Sequence, residues 1–142
     1  MSTITVFGGT GYAGRHIVDE AARRGHQVIA VSRSAGDADG GAEITWTSAD
    51  VTDAEAVRAA IAQADVVVSA LSPRGGLDGA LREADRLIAD TAAETGKELF
   101  VVGGFSSLRR SADAPRVIDE GSTAPTRCPP SRSRHCCAKR RR

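Results

Sequence analysis

Three features of this 142-residue chain predict an open α/β fold, a doubly wound parallel sheet of about five strands ordered 3-2-1-4-5. Short β-branched runs alternate with amphipathic stretches of helical period along residues 3–102. Each intervening stretch is long enough for a parallel crossover rather than a hairpin. Aromatic residues make up only 4% of the chain, so the core must rest on Val, Ile, Leu and Ala, as in a sheet covered by helices on both faces.

The elements follow in order. Residues 3–7 (TITVF) form a β-branched run that stops at glycine, the first strand. Residues 12–24 carry Ala13, Ile17 and Ala21 at helical spacing, and Gly25 closes that helix. Residues 27–31 (QVIAV) give the second strand, residues 34–41 a Gly/Asp/Ala loop, and residues 43–48 the third strand. Thr52-Asp53-Ala54-Glu55 has the form of a capping box, with Thr52 as N-cap of a helix reaching about Gln63. Residues 65–70 (DVVVSA) are almost wholly apolar, a fourth strand expected to be buried on both faces. After a loop at 72–76, Asp78 is the expected cap of a helix over 79–95, with Leu81, Ala84, Ile88 and Ala92 along one face. Gly96 ends it, and residues 99–102 (LFVV) are the fifth strand.

Charge is unevenly distributed. Residues 126–142 hold seven of the 19 Lys and Arg and no acid, leaving 12 basic against 18 acidic residues in the body, a net charge of −6. An acidic body repels the phosphate backbone, so a nucleic-acid partner is not expected. All three cysteines, Cys128, Cys136 and Cys137, lie in the same tail, so no disulfide framework is implied for the body. The N-terminus enters a strand with no basic or long apolar run, and no apolar stretch is long enough to span a membrane. The expectation is a cytoplasmic protein with no membrane partner.

Chemistry concentrates in the loop Gly8-Gly9-Thr10-Gly11-Tyr12-Ala13-Gly14, between the first strand and the first helix. Gly8 permits a tight exit from the strand, Gly11 lets backbone approach a pyrophosphate, and Gly14 lets the helix pack against the sheet. The helix N-terminus so presented favours an anion. Spacing is Gly-x-x-Gly-x-x-Gly, and the strand–loop–helix context marks a Rossmann-type dinucleotide site rather than a glycine-rich turn without a ligand. At the end of the second strand, a site preferring NAD places an acid for the ribose 2′-hydroxyl. This chain has Ser32-Arg33-Ser34. Arg33 can meet a 2′-phosphate with a planar, charge-assisted fork, Ser32 and Ser34 can add hydroxyls, and Arg15 can support it; the expected cofactor is NADPH. The alternative for Arg33 is a solvated loop arginine.

With these residues in view, the chain resembles the atypical short-chain dehydrogenase/reductase group, in its NmrA-like and NAD(P)H-flavin-reductase-like branch. Residues 7–14, Arg33, Ala49-Asp50-Val51, Ala70-Leu71-Ser72 and residues 99–108 carry the resemblance, which covers about residues 3–120. It implies that Asp50 and Val51 edge the adenine, the first by side chain and the second by backbone. It also implies that Ala70 and Leu71 line the ribose and pyrophosphate side. Plain strand-end packing for Ala70 and Leu71, and a loop acid for Asp50, are the alternatives. The expected cofactor site is thus Gly8, Thr10, Gly11, Tyr12, Ala13, Gly14, Ser32, Arg33, Asp50, Val51, Ala70 and Leu71. In this branch hydride passes directly to a flavin- or quinone-like small-molecule acceptor. That suits a chain whose one tyrosine, Tyr12, cannot form the Tyr-x-x-x-Lys proton relay of common short-chain dehydrogenases. Ser106 and Ser107 fall where the family places groups near the nicotinamide, with an ordinary turn pair as the alternative; His16 and His26 read as surface residues.

Family members continue past the fifth strand into a small substrate-binding region. Here residues 117–120 (VIDE) keep the family pattern and the chain from Pro125 onward does not. The expectation is therefore a dinucleotide-binding domain at 1–125, lacking the substrate region as if C-terminally truncated, and a basic Cys/Pro/Arg tail at 126–142, disordered or aberrant in origin. Cys128, His135, Cys136 and Cys137 lack the Cys-x-x-Cys pairs of a metal site, so no metal is expected. An NAD(P)H-sensing module and an inactive fragment stand beside the oxidoreductase reading. A fifth strand left at the sheet edge also invites pairing with a second copy as a homodimer.

Overall fold

The computed structural model describes residues 1–34, 41–73, 76–104, 109 and 111–116. It divides into two compact units, Met1–Val102 and Gly103–Arg142. In the second, an isolated antiparallel bridge joins Arg109 and Arg116, and the Arg109 guanidinium donates to the Ala114 carbonyl. Ser106, Ser107, residues 117–120 and the tail at 126–142 lie outside the described residues.

The first unit runs β1 (Thr3–Phe7), α1 (Tyr12–Arg23), β2 (Gln27–Ser32), β3 (Ile44–Ser48), α2 (Ala54–Ala62), β4 (Val66–Ser69), α3 (Leu81–Glu94) and β5 (Glu98–Val101). Its strands form one parallel sheet ordered β3-β2-β1-β4-β5, the order the alternating pattern predicts. Register runs Thr3 opposite Gln27, Ile4 opposite Val66, Val28 opposite Ile44, and Val66 opposite Glu98. Alternate side chains feed two cores. On one face Val6, Val28, Ala30 and Val68 meet Val18 and Ala21 of α1. On the other, Phe7, Val31 and Val67 meet Val57 and Ile61 of α2 and Ile88 of α3. The buried Thr5 hydroxyl donates to the Ala60 carbonyl at 3.0 Å, which satisfies a polar group inside the second core. No helix among the described residues is long and apolar enough to cross a membrane.

Three helix details depart from expectation. The buried line of α1 is Gly14, Val18 and Ala21, with Ala13 and Ile17 on its flank, because Gly14 packs directly against the backbone of Gly8 and Gly9. The N-cap of α2 is Asp53, whose carboxylate accepts from the Glu55 N–H at 2.9 Å. Thr52 is unavailable as a cap, since its N–H and hydroxyl both donate to Asp50 Oδ1, at 2.9 and 2.8 Å. Finally, α3 starts two residues later than expected and without a side-chain cap, because Gly79 has a left-handed φ of 85° that no helix accommodates. Its first turn hangs instead on the Leu77 carbonyl, which accepts from Ala80 and Leu81.

Candidate functional site

The site is built where the chain leaves β1. Gly8 has φ 80°, and a Cβ there would lie 2.8 Å from the Ala70 carbonyl oxygen, so only glycine makes this exit beside β4. The Gly8 and Gly9 N–H groups both donate to the Val31 carbonyl (2.9 and 3.1 Å), and the Gly11 N–H folds back onto the Gly8 carbonyl (2.9 Å). The loop is therefore tied to β2 on one side and packed on β4 on the other. Gly14 is buried beneath it, and a Cβ at that position would overlap the Gly8 carbonyl oxygen.

Gly11 is the N-cap of α1, with extended backbone (φ −72°, ψ 168°) and no side-chain acceptor, and the first turn carries no acid. The first intrahelical bond runs from the Arg15 N–H to the Gly11 carbonyl. The N–H groups of Tyr12, Ala13 and Gly14 thus have no acceptor among the described residues, and the positive end of the helix dipole has no local compensation. This end of the helix suits an anion.

Beside this helix end, with the N-cap Gly11 in its lining, lies a cleft at the carboxyl ends of β1, β2 and β4. Here the strand order reverses direction between β1 and β4, the place where open α/β sheets receive ligands. Gly8, Thr10 and Gly11 line it from the loop, Ser32 and Arg33 from the end of β2, Val51 from the turn after β3, and Ala70 and Leu71 from the end of β4. Eight of the twelve expected residues are thereby brought together. The other four stand differently. Tyr12 is 90% exposed, its ring edge-on to His16 at 5.3 Å, Ala13 is half-buried and Gly14 buried, and none of the three lines the cleft. Asp50 lies just outside, exposed, its carboxyl held below the usual range by the two donors of Thr52 and by the charge of Arg33.

At the mouth, the exposed Arg33 has no ion pair among the described residues, unlike Arg23 and Arg24, which share Glu20. Its guanidinium reaches toward the loop before α3, where a Cβ on Gly76 would lie 3.0 Å from it. Ser32 lines the cleft, but its hydroxyl proton goes to the Ser34 carbonyl, so it is a donor to its own turn in this state. Arg15 is exposed on α1 and is not part of the cleft lining. Leu77, Ser72 and Val31 also line the cleft and were not expected there. Val31 and the buried Leu77 supply its apolar wall. No group of three or more His, Cys, Asp or Glu among the described residues is placed to hold a metal. Donor loop, bare helix end, apolar wall and an arginine without an ion pair among the described residues together fit an elongated ligand with an anionic middle.

A sequence profile described as NAD(P)H-binding matches residues 8–124. This chain belongs to the NAD(P)H-binding family. It is similar to the isoflavone reductase homolog IRL of Zea mays, 34% identical over 138 residues, covering 80% of this chain and 45% of that protein. It is also similar to the chloroplastic divinyl chlorophyllide a 8-vinyl-reductase of the same plant, 35% identical over 80 residues, covering 56% of this chain and 20% of that protein. The chain thus spans less than half the length of either. Among solved structures, a Streptococcus pneumoniae protein provisionally named an NADH-flavin reductase is 26% identical with a TM-score of 0.71, over 84% of this chain and 55% of that one. Uronate dehydrogenase of Agrobacterium tumefaciens, solved with NAD, shares the fold (TM-score 0.67, 20% identity, 82% and 48% covered). The matched residues include the glycine loop from Gly8 onward, and family membership does not choose between NAD and NADP.

Proposed function

We propose that this chain binds NADPH in the cleft and serves a reductase that passes hydride to a flavin- or quinone-like acceptor. The observation that carries the cofactor choice is Arg33, a cation without an ion pair among the described residues, at the end of β2, where a preference for NAD calls for an acid. In this reading the pyrophosphate takes the free N–H groups of the α1 end, and Val51, Leu77 and Leu71 flank the adenosine half. The Arg33 guanidinium meets the 2′-phosphate. Bound NADPH supplies the hydride, while the chain's own residues orient it.

A fluorescence titration tests the cofactor choice. NADPH is expected to bind more tightly than NADH, and Arg33→Asp to abolish or reverse the preference, since a hydrogen bond to a charged group contributes about 1.5–3 kcal/mol. Equal affinities in the wild type would overturn it. A second reading, an NAD(P)H-sensing module, needs only the dinucleotide cleft. NADPH oxidation with FMN or a quinone, lost in Gly11→Val, supports the reductase; binding without turnover across such acceptors supports the sensor. Self-association through β5 belongs to the same proposal, because Phe100 and Val101 of this terminal strand are 60% and 54% exposed.

A further inference from the structure

The turn that carries Arg33 is fixed more firmly than a loop arginine requires. Strand β2 ends at Ser32, opposite Ser48, the last residue of β3. Beyond this pair the ladder continues by other means. The Ala49 N–H donates to the Ser32 carbonyl at 2.9 Å, the Ser48 hydroxyl donates to the Arg33 carbonyl at 3.0 Å, and the Ser32 hydroxyl donates to the Ser34 carbonyl. Three successive carbonyls are thus tied down, and only the bond from Ser48 reaches the arginine's own peptide from a neighbouring strand. A carbonyl held in this way fixes the plane of the 33–34 peptide, and with it the direction in which the Arg33 side chain leaves the backbone.

That direction matters because an arginine with a free backbone must be ordered at both ends before it can grip a ligand, at a cost in conformational entropy. Here the far end is placed as well, beside the bare Cα of Gly76 across the mouth of the cleft. The nearby carboxylate that competes for it, Asp50, has its Oδ1 taken by two donors from Thr52 and forms no ion pair with Arg33. The guanidinium is left aimed and, among the described residues, without an ion pair.

We propose that Ser48 is a positioning residue for cofactor selectivity: its hydroxyl presets Arg33 for the 2′-phosphate that distinguishes NADPH from NADH. This rests on the reading of Arg33 given above. Ser48 itself is exposed at the end of an edge strand and is absent from the cleft lining, so its effect passes through Arg33 alone.

The experiment titrates NADPH and NADH separately into the wild type, Ser48→Ala, Ser48→Thr and Arg33→Ala. Ser48→Ala is expected to weaken NADPH by roughly three- to tenfold, the range for loss of one neutral hydrogen bond, and to leave NADH unchanged. Ser48→Thr, which keeps the hydroxyl, is expected to retain the wild-type preference. An unchanged NADPH affinity in Ser48→Ala, or an equal loss for both cofactors, overturns the proposal; the second outcome would assign Ser48 to the fold. If Arg33→Ala loses the preference and Ser48→Ala keeps it, the reading of Arg33 stands and the role of Ser48 falls. If the wild type has no preference, or Arg33→Ala retains it, the reading of Arg33 falls and takes the proposal with it.

Discussion

Gly11 and Gly14 lie three residues apart and meet different demands. A Cβ at Gly14 would overlap the Gly8 carbonyl oxygen, a backbone atom that cannot move without shifting the loop. Gly14→Ala is therefore expected to lower stability by about 1–3 kcal/mol even without cofactor, read as a fall of several degrees in melting temperature. Gly11 faces the cleft with ordinary backbone angles, and a Cβ there would approach the Gly8 oxygen to 3.2 Å. Gly11→Val should lose NADPH binding with a smaller effect on the melt, because its side chain fills the space proposed for the pyrophosphate. A larger melting defect in Gly11→Val than in Gly14→Ala would contradict this division of roles. Both roles are legible in the Gly-x-x-Gly-x-x-Gly spacing, since the geometry follows from loop length and the absence of side chains. The Ser32 hydroxyl is not legible, because its partner is a carbonyl two residues on and nothing in a Ser-Arg-Ser string says which way the rotor turns. Nor is Leu77, a single leucine in a glycine-rich loop with no period to mark it as a wall of the cleft.

At the scale of elements, hydrophobic period and closing glycines place every strand and helix to within a few residues, and the errors gather at helix starts. The helix C-termini were readable because Gly25 and Gly96 close both long helices in the same way. His26 donates to Ala21 and Gly25 to Ala22 in one, and Lys97 to Ala92 and Gly96 to Ala93 in the other. Starts were harder. Three candidate caps, Asp50, Thr52 and Asp53, crowd the entry to α2, and the tertiary turn decides among them. Asp53→Ala is expected to cost about 1 kcal/mol through loss of the cap, measured by denaturant unfolding. No measurable loss would return the capping role to Thr52. At the other end of α1, the half-exposed Glu20 accepts from the guanidinium groups of Arg23 and Arg24 (2.7 and 2.8 Å to Arg23, 2.7 Å to Arg24), which hold its carboxyl at about 2. A depressed carboxyl favours the folded state above its ordinary value of 4.5 and loses that contribution as pH falls toward 2. The difference in melting temperature between wild type and Glu20→Gln should therefore shrink through that window and vanish near its lower end, remaining small and salt-sensitive throughout. A constant difference across the window would show that the ion pairs contribute nothing.

For the whole molecule, the parallel order 3-2-1-4-5 was readable because alternation leaves few topologies, and the glycine loop says where the order reverses. Neither the acceptor nor the quaternary state is written in that pattern. The exposed apolar residues of β5, continued by Val102, predict concentration-dependent self-association in sedimentation, weakened by Phe100→Lys. A monomer at all concentrations would remove β5 from the account. Residues 126–142, with Pro129-Pro130 lacking ladder donors and seven like charges, are proposed to add nothing to the unit at Met1–Val102. Deleting them should leave melting temperature and NADPH affinity unchanged, and a fall of several degrees would show that they pack. The central claim, that one cleft takes the dinucleotide and Arg33 reads its 2′-phosphate, is tested most directly by an amide-resolved NMR titration with NADPH followed by NADH. The account predicts that both cofactors shift the amides of residues 8–13, Ala70, Leu71 and Leu77. It predicts that only NADPH shifts those of Arg33, Ser34 and Ala49, while the hollow around Ile4, Ile17 and His26 stays silent. Shifts centred on that hollow, or identical maps for the two cofactors, would contradict it.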